Sequence, residues 1–172
     1  MVYGDYKTAS IRHLRTCQHL CQNLGQVQNT QNKKHILANI YYLSGYVIEC
    51  IINYAIYDLV GYSKTEDVKN LNESSHQISF YKPKKKGWYQ INHHKFQENS
   101  QFLFRQLPAI SQIPFIDRSN KPEKYRSIER LYEKWQSNAR YEDHQFTEQQ
   151  VKLFVQLSEE IHLKIRQIIS KG

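Results

Sequence analysis

Tyr41-Tyr-Leu-Ser-Gly-Tyr-Val-Ile-Glu-Cys50 is the segment from which the architecture follows. Nearly every position is aromatic or aliphatic, broken by one glycine and one carboxylate. Extended in both directions, Ile36, Ile40, Leu43, Val47, Ile51 and Tyr54 keep helical spacing, which predicts a helix over 32–59 closed by Gly61. A helix that is apolar over most of its circumference belongs at the centre of a bundle. Gly45 in mid-helix costs up to about 1 kcal/mol against Ala, so the close approach of another helix is expected there. Glu49 lies one turn further on among apolar residues. It must find a donor or shift its pKa upward, and Arg140 or a tyrosine hydroxyl is the expected partner.

Working outward, Ile11, Leu14, Cys17, Cys21 and Leu24 mark one face of a first helix over 7–24, stopped by Gly25. Helices are predicted over 94–106, ended by Pro108, and over 127–138, with Ile128, Leu131, Tyr132 and Trp135 on one face. Pro108, Pro114 and Pro122 make the stretch between them a loop. Thr147 and Gln150 form a capping box for a last helix, whose stripe runs from Val151 to Ile169. Over 61–92 the periodicity fades, and a hairpin around 78–81 and 87–91 is the only regular structure expected. The expectation is one all-α domain over 1–172. It is an antiparallel up-down bundle of four to five helices, with a long irregular insertion between the second and third.

Composition agrees. Only 6 Gly and 4 Pro in 172 residues are too few for the turns of a sandwich or barrel, and 13% aromatics point to a real core. With 24 Lys and Arg against 16 Asp and Glu, the chain is formally +8, so polyanions lead the list of partners. Cys17, Cys21 and Cys50 form no disulfide framework, the N-terminus lacks an apolar signal region, and charged or polar residues interrupt the most apolar run. A cytoplasmic protein with no membrane segment is expected.

The 41–50 segment resembles the second-helix signature of the HEPN family (higher eukaryotes and prokaryotes nucleotide-binding), an aromatic-Leu-small-Gly-Tyr-x-x-Glu-Cys run on a buried helix. Trp135 followed by Arg140-Tyr141 resembles the Trp…Arg-Tyr element before the last helix of a large HEPN subgroup, and order and spacing agree over about residues 7–170. The family often carries Lys four residues after the glutamate, where this chain has Asn53. The resemblance implies RNA or nucleotide binding, a homodimer, and a toxin–antitoxin or defence setting beside a nucleotidyltransferase partner. Glu49 and Tyr141 become candidate binding residues.

Many HEPN proteins are metal-independent endoribonucleases, using Arg and His separated by four to six residues. His would act on the ribose 2′-OH or the leaving oxygen, and Arg would stabilise phosphate charge. Arg140 and His144 are the candidate catalytic pair, yet only three residues separate them, and Glu142 and Asp143 lie between. Arg12 and His19 have the right spacing on the wrong helix. The degraded motif favours binding over cleavage, with ribonuclease activity as the alternative and a non-catalytic dimerisation module as a third reading. Lys82, Lys84, Lys85 and Lys86 are candidate phosphate contacts, and Trp88 is a candidate stacking platform. His13, Cys17 and Cys21 share a helix face but read as core packing. No metal or cofactor is expected.

Overall fold

The computed structural model describes the backbone at residues 2–61, 63–65, 67, 77–82, 85–90, 94, 96–107, 110, 112–141 and 145–170, and the side chains of these except 60, 77–82, 85–90, 140 and 141. Five α-helices and one hairpin are described: α1 (Gly4–Asn23), α2 (Thr30–Val60), β1 (Gln77–Lys82), β2 (Lys85–Gln90), α3 (Phe96–Gln106), α4 (Glu129–Lys134) and α5 (Glu148–Ile169). Three short 3-10 segments, Leu24–Gln26, Glu123–Ile128 and Ser137–Tyr141, join or extend them.

The ends of α2 are set by local chemistry. The Asn29 side chain accepts from the Asn32 backbone N–H at 2.9 Å, and Gly61 takes the left-handed conformation (φ 83°) that lets its N–H return to the Asp58 carbonyl. Between these caps α2 is buried on nearly all sides, from Leu37 to Tyr57.

Contact pairs give the helix directions. Tyr3 meets Tyr57, Ser10 meets Val47 and Cys17 meets Ile40, so α1 and α2 run antiparallel. Lys33 pairs with Glu148 and Tyr41 packs on Phe154, so α5 runs with α2. Glu49 meets His94 and Asn53 meets Asn99, so α3 does the same. The all-α helical bundle expected from the sequence is the architecture. α1 thus runs opposite to α2, α3 and α5, and the two long connections, 61–95 and 107–147, separate the long helices that share a direction.

One core cluster fills the space around the second half of α2, with Phe96, Leu103, Trp135, Phe154 and Ile161 among its members. A smaller one joins Leu14, Cys17, Leu24, Ile40, Val47 and Val151 near the α1–α2 turn. The proline-containing loop also contributes. Ile110, Ile113, Phe115 and Ile116 are buried, and Phe115 (φ 64°) donates its N–H to the Asn120 carbonyl. The hairpin pairs Gln77 with Gln90 and Lys82 with Lys85 in antiparallel register.

Among the described helices, Thr30–Leu59 alone has the length and apolar composition of a membrane span, at hydropathy 1.3. Its burial against α1, α3 and α5 accounts for that composition.

Candidate functional site

Gly45 is where α2 meets the segment after α4. A Cβ there would lie 2.0 Å from Cε2 and Nε1 of the Trp135 indole. The indole N–H donates to the Tyr42 carbonyl at 3.2 Å, and its ring stands edge-on to Tyr46 and stacks on Phe96. The close approach expected at Gly45 is therefore made by an indole and not by another helix. The helix predicted over 127–138 is correspondingly broken. Only Glu129–Lys134 is α-helical, and Trp135 is extended (ψ 131°), which lets its ring leave the helix for the Gly45 notch.

Side chains from two other helices take up carbonyls at the end of α4. Gln97 Nε2 donates to the Tyr132 carbonyl at 2.7 Å and the Trp135 carbonyl at 3.0 Å, and the Tyr41 hydroxyl donates to the Leu131 carbonyl at 2.8 Å. With α4 so fixed, the Ser137–Tyr141 turn follows and packs against α2 through the buried Ala139. The backbone of Arg140 and Tyr141 thus lies beside α2, while their side chains fall outside the described residues.

Glu49 is 4% exposed. Its Oε1 lies 3.4 Å from Nδ1 of His94. Burial pushes the Glu49 carboxyl above the usual carboxylate range, while His94 opposes that shift through its charge and its hydrogen bonds. His94 adopts a left-handed backbone (φ 72°), uncommon for a residue other than glycine. The described partner of Glu49 is thus His94. The expected pairing with Arg140 falls on a side chain outside the description.

Glu49 Oε2 and Asn53 Nδ2, one helical turn apart, are buried and make no hydrogen bond among the described residues. Asn53 Oδ1 accepts from Asn99 on α3 at 3.1 Å, so the position where the family often has Lys here faces a helix interface, not an open groove. The rim of this region is aromatic. The Tyr42 hydroxyl donates to the Tyr46 hydroxyl, and Tyr46 touches His13, His94 and Trp135. An imidazole oriented through Nδ1 by a carboxyl suits both proton transfer and the holding of an anion.

The remaining candidates are distributed as follows. Lys82, Lys85 and Lys86 stand at the closed end of the hairpin by register, with Lys86 opposite Tyr81 and Trp88 opposite Ser79. Lys84 and His144 lie outside the described residues. Cys17 is a core residue whose Sγ contacts the Ile40 carbonyl at 3.6 Å and accepts from Ser44, and burial pushes its thiol up to about 12.

Three residues were not legible as partners in the sequence. His94 stands in the sequence only as the first residue of the helix predicted over 94–106, because nothing local ties it to Glu49. Ser10 and His162 form a buried link across three helices. The Ser10 hydroxyl donates to the Val47 carbonyl at 2.9 Å and so accepts from His162 Nδ1 at 2.8 Å. Burial, then the charges of Arg166 and Lys7, lower the His162 imidazole to about 4. The only available signal was position, since Ser10 precedes Leu14 by one turn and His162 follows Ile161 of the apolar stripe.

No family model matches the chain, and neither does any curated protein or solved structure.

Proposed function

We propose that this chain is a HEPN-like helical protein that binds RNA or a nucleotide. In this reading it is cytoplasmic, pairs as a homodimer, and acts in a toxin–antitoxin or defence setting beside a nucleotidyltransferase-type partner. One observation carries the proposal. The two segments on which the resemblance rests, 41–50 and 135–141, form one packed unit through the seating of Trp135 on Gly45. That unit brings the Arg140 backbone to α2 in a chain of charge +8. Its neighbourhood holds an aromatic rim and a histidine on a buried carboxyl, groups suited to bases and phosphates.

The His94–Glu49 pair favours a second reading, a metal-independent endoribonuclease. There Arg140 and His144 would act on the phosphodiester, and His94 would be a further acid or base near α2. Incubating labelled single-stranded RNA with the full chain in EDTA separates the readings. The binding reading expects retardation of intact RNA. Cleavage that disappears in His144→Ala would transfer the assignment to the ribonuclease, and absence of both retardation and cleavage would leave a dimerisation module.

A further inference from the structure

A second cationic site lies where α1 begins and where α2 and α5 end. Lys7, Lys64 and Arg166 line a cleft of about 370 Å³, with Tyr54, Leu163 and Ile169 in its wall. The cleft is built from fixed pieces. Gly4 donates its backbone N–H to the Lys64 carbonyl at 3.3 Å, which seats the segment after α2 on the first turn of α1. The ammonium of Lys7 stands 5.8 Å from the centre of the Tyr54 ring, which is itself packed on Tyr3.

The charges in this cleft are poorly answered. Asp58 lies 3.9 Å from Lys64, while Lys7 and Arg166 form no ion pair among the described residues. Like charges sharing a cleft raise the local potential and draw an anion to it. Beside them, Leu163 is 46% exposed and is the one large apolar side chain left in that state among the described residues. The same positive field reaches inward, because Arg166 and Lys7 add to burial in disfavouring the charged form of His162.

We propose that this cleft binds an organic phosphate monoester. The phosphate dianion sits among Lys7, Lys64 and Arg166, and the less polar body of the ligand rests on Leu163 and Ile169. Arg166 supplies the planar donor pair that phosphate oxygens match, and the two lysines add charge without fixed geometry. The adjacency of unpaired cations and an exposed leucine is what one ligand with both an anionic and an apolar part accounts for. The choice of a nucleotide as probe rests on the nucleotide-binding reading above. The cleft itself is on the α1-facing side of α2, away from Glu49 and Trp135.

The test uses the full chain with AMP, adenosine and inorganic phosphate, read by thermal shift and by NMR titration of the His162 ring. AMP raises the melting temperature with increasing concentration, inorganic phosphate raises it less, and adenosine leaves it unchanged. AMP also raises the His162 pKa, because a bound dianion offsets the charges of Lys7 and Arg166. The double variant Lys7→Gln, Arg166→Gln changes exposed or half-buried groups and keeps the fold; it binds AMP about tenfold or more weakly. Leu163→Ser reduces the AMP response to that of inorganic phosphate. No AMP response in wild type, or an equal response in the double variant, overturns the proposal. RNA retardation is measured on the same proteins. A chain that responds to AMP without retarding RNA keeps the cleft and loses the RNA reading, and the reverse loses the cleft alone.

Discussion

A single missing Cβ organises the region around Glu49. Helix propensity alone favours Ala over Gly at position 45 by about 1 kcal/mol. The added methyl, however, would meet the rigid indole of Trp135 at 2.0 Å, and Trp135 is fully buried, stacked on Phe96 and edge-on to Tyr46. Overpacking of this kind costs about 1–3 kcal/mol, occasionally more, so the clash outweighs the propensity gain. Gly45→Ala is expected to lower the urea midpoint and to shift the Trp fluorescence as the indole is displaced. A midpoint equal to or above wild type would show that the notch is not needed. The need for close approach at Gly45 was legible from its place in an apolar helix. That the visitor is a side chain from 90 residues downstream was not, because helical periodicity at Trp135 equally fits a continuing helix.

At the scale of elements, the long helices were legible because their apolar periods and caps agree. The capping box at Thr147 forms as expected: its Oγ1 accepts from the Gln150 N–H at 3.1 Å, and the Gln150 side chain accepts from the Thr147 N–H. Thr147→Ala should cost about 1 kcal/mol, measured by urea unfolding. No loss would mean that tertiary packing of α5 holds its first turn without the cap. The fourth element was misread in its boundaries. Its carbonyls are taken up by Gln97 and Tyr41, long-range partners that no local rule anticipates, and these let a six-residue helix end before Trp135. The hairpin was anticipated near its observed strands, and the loop over 108–122 hides a buried group of isoleucines and Phe115 that its prolines did not reveal.

For the whole molecule, acid sensitivity follows from His162. Its imidazole is held neutral in the fold down to about 4, against 6.5 when unfolded. The unfolded chain therefore binds the proton first as pH falls. Stability from this group is complete above 6.5, declines between 6.5 and 4, and levels off below. The loss amounts to about 2 kcal/mol between pH 7 and pH 5. Glu49, raised by burial, works in the opposite sense, so the comparison that isolates the imidazole is wild type against His162→Gln. The variant should lose most of the difference between urea unfolding at pH 7 and at pH 5. An unchanged difference would place the titration elsewhere.

The central claim is that this basic helical protein holds a nucleic-acid chain through phosphate contacts. Fluorescence anisotropy of a labelled single-stranded RNA, titrated with protein over a range of salt concentrations, measures it most directly. Wild-type affinity should fall linearly with salt on logarithmic axes. The variant with Lys82, Lys84, Lys85 and Lys86 all changed to Ala should bind every RNA sequence more weakly, with a slope flatter by about 0.7 for each lost phosphate contact. An affinity that ignores salt in wild type, or an identical affinity and slope in the variant, would contradict the account.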